Sequence, residues 1–276
     1  MMNKMLAFVV ALGVTAAVAV PAQADPKSDL NQFQSYFKKK FPTVPFADFS
    51  NGLYALPDAK DRRAEWEMIM EFPPYELELA KGKKFWDENK LAGCFKNGGK
   101  HIAQHYPYWD SKRKMVRTIE LDINDCLKKN GKEPIKDLNK GTMAQVVAYM
   151  KMQSRGNKVS IDMSNKGMVA AYEDGKKYYW TKRGQLNFAC ADCHVQMAGY
   201  YIGGNILSAG LGHGLGFPAY RSKWGALGTL HRRYGGCHKQ VRAAPPKPQS
   251  EALRHLELYE TYMNTGLPIT APSQRF

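Results

Sequence analysis

The chain has 276 residues, 44% of them hydrophobic, which is enough for one large domain or two small domains with ordinary cores. Its 40 Lys and Arg residues outnumber its 25 Asp and Glu residues, and the formal net charge is +15. A chain this basic favours acidic proteins or small anions as counterparts, although the cations could instead serve only to keep the protein soluble.

The first 24 residues have the three parts of a secretory signal peptide. Lys4 precedes an apolar run from Met5 to Val20, and small residues then lead to a cleavage site after Ala24. The run of about 16 residues is shorter than the roughly 20 needed to cross a bilayer. We therefore predict that 1–24 is removed, that the protein is periplasmic without a membrane span, and that nucleic acid is not a partner.

The next segment is expected to extend the first domain and to wrap against its neighbours. Apolar spacing predicts a helix over 30–41, whereas Pro, Asn and Asp interrupt 42–61. No catalytic constellation is present in this region. Two prolines then precede a predicted helix over 75–90. The large apolar residues expected to pack in the core or against a neighbour are Phe33, Tyr36, Phe37, Trp66 and 68–70.

An internal comparison suggests a tandem duplication. The sequence Gly-Lys-Lys-Phe-Trp at 82–86 runs into Cys94, and Gly-Lys-Lys-Tyr-Tyr-Trp at 175–180 runs into Cys190. A helix with the same signature therefore leads into a cysteine twice. The alternative is that the signature recurs by chance in a Lys-rich chain.

The first copy contains Cys94 and Cys126. Unlike the second copy, it has no further cysteine at haem-motif spacing after Cys94 and no histidine beside it. In an exported protein the two cysteines could form a disulfide, which would contribute about 3 to 4 kcal/mol by closing its loop, or they could remain free buried thiols. Helices predicted over 117–129 and 142–152 complete this domain.

The second copy opens the complete motif Cys-Ala-Asp-Cys-His. Two residues between Cys190 and Cys193 set the sulfurs apart by about the distance between the vinyl groups of haem, and His194 then lies under the iron. This is the spacing of covalent haem c attachment. The rival interpretations are a redox dithiol, which needs a βαβ context, and half of a zinc site, which needs a second nearby Cys/His pair. Neither context is present.

Around this motif the sequence predicts a mainly helical domain. A strand is predicted over 158–163, as a connection from the first copy. A glycine-rich loop over 199–216 could lie close over a flat macrocycle, or could simply be flexible. Helices are predicted over 224–233 and 251–264, the latter capped by Ser250.

Function depends on the iron ligand opposite His194. Met263 would make an ordinary electron carrier, and a histidine would give bis-histidine ligation. The remaining candidate is Cys237, the odd cysteine if haem and a disulfide use the other four. Positive charges near a thiol favour its thiolate and attract anions, but a buried structural cysteine remains open. The histidine candidates are His213, His231 and His238, and the charges flanking Cys237 are Arg232, Arg233, Lys239 and Arg242.

The whole mature chain resembles the SoxA family, the larger cytochrome subunit of the SoxAX complex of bacterial thiosulfate oxidation. The residues that carry the resemblance are 187–194, 218–221 with Trp224, 230–233 followed by Cys237, 241–243 and 271–275. The resemblance implies a mainly α fold of two tandem cytochrome c-like domains with an N-terminal wrapping segment. It implies boundaries of 25–155 for a first domain without haem and 156–276 for a haem c domain.

The resemblance also implies the chemistry. The chain resembles one-haem members, in which Cys94 and Cys126 form a disulfide. His194 and Cys237 match the axial ligands, Cys237 matches the residue found as a persulfide, and Arg233 matches the substrate-binding arginine. The implied enzyme is a thiosulfate-oxidising S-thiosulfotransferase that joins thiosulfate to a cysteine of the SoxYZ carrier and passes electrons to SoxX in a heterodimer. A plain periplasmic cytochrome c electron carrier is the alternative hypothesis.

Overall fold

The computed structural model describes residues 25–276, so the predicted signal peptide lies outside the described residues. The described part is mainly helical, as predicted, with short strands between the helices. The helices are α1 (Pro26–Lys40), α2 (Lys60–Glu71), α3 (Glu76–Glu88), α4 (Ile119–Lys129), α5 (Thr142–Met152), α6 (Lys166–Trp180), α7 (Leu230–Gln240) and α8 (Glu251–Met263). The strands are β1 (Tyr108–Asp110), β2 (Met115–Arg117), β3 (Tyr201–Ile202), β4 (Asn205–Ile206), β5 (Ala219–Arg221), β6 (Ala226–Gly228) and β7 (Ser273–Arg275).

Two pairs of crossing helices repeat the same contact. Helix α3 packs against α5, and α6 packs against α8. A Cβ atom added at Gly82 would lie 2.1 Å from the carbonyl oxygen of Gln145, and one added at Gly175 would lie 2.0 Å from that of His255. In each pair the glycine therefore lets two helix backbones touch. This equivalence supports the tandem duplication, while the boundary between 155 and 156 stays a prediction.

Helix α1 lies against the second half of the chain. The Lys40 ammonium group donates hydrogen bonds to the carbonyls of Val195 and Gln196, and the Tyr36 hydroxyl also donates to that of Val195. Asp29 pairs with Lys176 of α6 at 2.6 Å. The N-terminal segment thus holds the stretch that contains the predicted haem motif.

Two predicted elements are wrong. The stretch over 158–163 forms no regular strand: Lys158 makes an isolated bridge with Pro268, Val159 bonds the backbone of Leu267 and Gly266, and the residues after Ser160 do not continue the pairing. The helix predicted over 224–233 is instead a single turn, then β6, then α7. Strand β6 pairs with β5, and the Thr229 hydroxyl accepts from the Arg232 N–H, which caps α7 at its start at Leu230.

One predicted cap is also wrong. Ser250 does precede α8, but its hydroxyl makes no capping bond and is buried without a partner. None of the helices in 25–276 combines the length and apolarity needed to span a bilayer.

The fold also contains a three-stranded sheet and a pair of cysteines at bonding distance. The strand order is β6-β5-β7, with β5 antiparallel to β6 and parallel to β7. The sulfur atoms of Cys94 and Cys126 lie 2.06 Å apart, which is bonding distance, and join the segment after α3 to α4. One continuous core runs through both halves, from Phe37 in α1 to Val147 in α5 and Leu256 in α8.

Candidate haem and sulfur site

The haem motif follows α6 on a short, well-fixed loop. A bridge between Arg183 and Phe188 closes the loop, and the Asp192 carboxylate accepts a hydrogen bond from the Ala189 N–H at 2.8 Å. Residues Asp192–Gln196 form one π-helical turn, a wide turn that is common at functional sites. Both motif cysteines are partly exposed and neither is in a disulfide.

His194 has the hydrogen bonding of an iron ligand. Its Nδ1 atom lies 2.9 Å from the carbonyl oxygen of Ser208, so Nδ1 carries the proton and Nε2 keeps a free lone pair. The side chain is buried, and burial lowers the pKa of His194 to about 4, which favours the neutral form that binds metal. These residues therefore fit a haem c group: two thiols, a correctly oriented imidazole and a fixed loop between them.

Helix α7 brings Arg233 and Cys237 to one face, because residues four apart are neighbours on a helix. Contacts join α7 to the haem-motif loop: His238 bonds the Tyr178 hydroxyl at 2.6 Å, and Arg183 stacks over the Tyr178 ring and lies 3.7 Å from the sulfur of Cys190. Burial raises the pKa of Cys190 to about 12, with further contributions from Glu260 and Cys237, and burial and Cys237 likewise raise the pKa of Cys193. These contacts connect two separate stretches of sequence that carry predicted site residues, and the role of those residues stays a prediction.

Three arginines lie on or near α7, and one of them, Arg221, donates to the Phe276 oxygen at 2.7 and 3.0 Å. Burial, and then the charge of Arg233, lower the pKa of Arg221 to about 10. The Trp224 ring lies between Arg221 and Arg232, at 5.0 and 4.1 Å. Within 25–276, none of these three arginines pairs with an Asp or Glu side chain. Arginines without acidic side-chain partners are groups that can bind small anions.

The structure places the histidine candidates in other roles. The rings of His213 and His194 stack with their centroids 4.2 Å apart, which leaves no room for a porphyrin between them. His231 accepts from the Gln249 N–H and lies 3.0 Å from Glu257, and His238 is also bonded through both nitrogens. These contacts do not support a histidine opposite His194.

A buried carboxyl group near this site was not predicted from the sequence. Glu260 accepts a hydrogen bond from the Tyr234 hydroxyl at 2.6 Å and lies 3.8 Å from His213. Burial raises the pKa of Glu260 to about 8, despite the stabilising bond from Tyr234. A glutamate in an amphipathic helix gives no sequence signal of this burial.

Comparison with known proteins identifies the family. Residues 81–159 match the family described as "SoxA/TsdA, cytochrome c domain". The L-cysteine S-thiosulfotransferase subunit SoxA of Chlorobaculum tepidum is 44% identical over 273 residues, which cover 95% of this chain and 94% of the relative. That of Allochromatium vinosum is 42% identical over 278 residues, 98% of each chain. The chain belongs to the SoxA family.

A solved structure supports the same fold. The crystal structure of SoxXA from P. pantotrophus matches with a TM-score of 0.68 and 27% identity, covering 74% of this chain and 79% of that chain. The family match at 81–159 covers the half that contains Cys94 and lacks the haem motif. The SoxA resemblance and the mainly helical cytochrome c fold predicted from sequence are thereby confirmed, and a cytochrome c domain implies haem c.

Proposed function

We propose that this SoxA chain is a subunit of an L-cysteine S-thiosulfotransferase that oxidatively joins thiosulfate to a cysteine of the SoxYZ carrier. The curated SoxA relatives bear that enzyme name. The observation that carries the proposal is the position of Arg233 and Cys237, one turn apart on α7, a helix that contacts the haem-motif loop through Tyr178 and Arg183. The match to a SoxXA complex supports SoxX as the partner in a periplasmic heterodimer.

We propose one covalent haem c per chain. Cys190 and Cys193 would form the thioether bonds, with His194 and Cys237 as axial ligands. Haem supplies an iron that can take these ligands and accept an electron. A pyridine haemochrome assay should find one haem per polypeptide, lost in Cys193→Ser. Two haems would overturn the view that the first copy has lost its motif.

The reaction needs a bound dianion, a reactive sulfur and an electron acceptor. Thiosulfate and the carrier thiol together give a cysteine S-thiosulfonate, one proton and two electrons, and the electrons leave to SoxX. Arg233 would bind and orient the thiosulfate by a charge-assisted contact. Cys237, as a thiolate or a persulfide, would be the reacting sulfur on the enzyme.

Substitutions of Cys237 and Arg233 should impair the reaction in different ways. Cys237→Met should keep haem and fold, since a thioether can ligate iron, yet abolish thiosulfate-dependent turnover because the reacting sulfur is gone. Arg233→Ala should keep the spectrum and lower kcat/KM roughly 10- to 150-fold, because a charge-assisted bond contributes about 1.5 to 3 kcal/mol.

The assay is thiosulfate-driven haem reduction with SoxX and SoxYZ present. Lys128→Ala is the control, because it removes one exposed charge from α4, outside the charges that flank Cys237, and should leave turnover near the wild-type rate. Wild-type turnover by Cys237→Met would show the proposal to be wrong. A near-infrared methionine-to-iron band in the wild-type spectrum would indicate Met263 ligation and a plain electron carrier instead. An added sulfur atom on the Cys237 peptide by mass spectrometry would support the persulfide.

A further inference from the structure

A buried hydrogen bond joins the residue after Cys237 to helix α6. The His238 side chain is 4% exposed, and its Nδ1 lies 2.7 Å from the carbonyl oxygen of Tyr234, so Nδ1 carries the proton and donates. Its Nε2 then accepts from the Tyr178 hydroxyl at 2.6 Å. Burial lowers the pKa of His238, which is consistent with this neutral tautomer.

Tyr178 is also contacted from the haem-attachment side. The Arg183 guanidinium stacks over the Tyr178 ring, 3.9 Å from its centroid, and donates to the Tyr178 carbonyl. Another nitrogen of Arg183 lies 3.7 Å from the sulfur of Cys190. Tyr178 therefore bridges the two stretches whose cysteines form the site.

The helix that carries Cys237 has low intrinsic stability next to this cysteine, so side-chain contacts are needed to hold it. Gly235 and Gly236 immediately precede the cysteine, and glycine is among the poorest residues for helix stability. Both glycines have open surroundings, with no neighbour closer than 3.9 Å to the position of an added Cβ. Local propensity therefore leaves this turn weak, and the contacts of His238 hold it.

We propose that Tyr178 and His238 are a positioning pair that orients the sulfur of Cys237 toward His194. The pair acts through α7, by the bonds of His238 to Tyr178 and to the Tyr234 carbonyl. The inference deepens the proposed function, but its main readout, the spectrum of ferric haem, does not depend on thiosulfate chemistry.

The test compares two tyrosines of α6. Tyr178→Phe removes the hydroxyl bonded to His238, and Tyr172→Phe, the matched control, removes a hydroxyl bonded to Asp29 of α1 at 2.9 Å. In Tyr178→Phe, electronic and electron-paramagnetic-resonance spectra should show a loss of thiolate-ligated low-spin haem. Its kcat should fall roughly 2- to 10-fold, as expected for one hydrogen bond, with KM for thiosulfate unchanged because Arg233 is intact.

A second pair of variants keeps the test decisive if Tyr178→Phe does not mature. The amide oxygen of His238→Gln can still accept from Tyr178, whereas His238→Leu cannot. The glutamine variant should therefore keep more of the thiolate-ligated spectrum. Equal spectra for the glutamine and leucine variants, or a wild-type spectrum for Tyr178→Phe, would overturn the positioning role. An altered Tyr178→Phe spectrum with no thiosulfate turnover by the wild type would support the pair while removing the proposed function.

Discussion

Gly175→Ala tests the helix crossing beneath the haem motif. The new Cβ would lie 2.0 Å from the backbone oxygen of His255 and 2.9 Å from the Cβ of Tyr259, and real Cβ atoms essentially never come within 3.0 Å of another atom. Because the obstacle is backbone, no side-chain rotation can relieve it. Helices α6 and α8 must move apart by about 1 Å.

The separation should cost about 3 kcal/mol, at the upper end for overpacking, because it also loosens the aromatic contacts of Tyr259 with Tyr172 and Tyr179. Alanine recovers about 1 kcal/mol through its better helix propensity. The net loss of about 2 kcal/mol corresponds to a fall in Tm of roughly 4 to 8 °C for a chain of this size.

Thermal unfolding followed by circular dichroism measures the effect. Gly235→Ala is the control, because it lies in a helix and would meet only Pro245, at an ordinary 3.9 Å. It should raise Tm or leave it unchanged. A Tm for Gly175→Ala at or above that of the wild type would refute the close-contact reasoning.

Two further predictions concern sulfur and charge. Alkylation of the native protein should label Cys94 and Cys126 only after reduction, and free labelling of both would exclude the disulfide. Burial raises the pKa of Glu260 from 4.5 to about 8, so the stability that its neutral form contributes is complete below pH 4.5 and is lost as pH rises toward 8. The free energy of unfolding of the wild type should therefore fall relative to Glu260→Gln between pH 5 and 8 in denaturant titrations, and a constant difference would contradict this assignment.

Sequence predicted the elements whose signals are local. The helix at 142–152 has the predicted bounds, and those at 30–41 and 251–264 differ by a few residues at most. The repeated Gly-Lys-Lys-aromatic signature also indicated two equivalent segments. In each segment its glycine lies where two helix backbones touch. The family motifs then indicated the residues of the proposed site.

Helix α7 was misplaced because its own sequence argues against a helix. Gly235 and Gly236 indicate a break, yet packing carries the helix to Gln240 and puts Cys237 inside it. The sheet could not be predicted either, since β5 pairs with β7 from a distant stretch. For the same reason the bond between Tyr178 and His238, 60 residues apart, has no sequence signal.

The position of α1 sets an order of assembly. The helix has 15 residues, which makes it marginal in isolation, and Gln34 bonds the carbonyl of Met263, 229 residues later. The other contacts of α1 are also distant in sequence, since Asp29 bonds Lys176 and Tyr36 bonds Val195, 147 and 159 residues later. The N-terminal helix can therefore complete its docking only after the chain has been made as far as the end of α8.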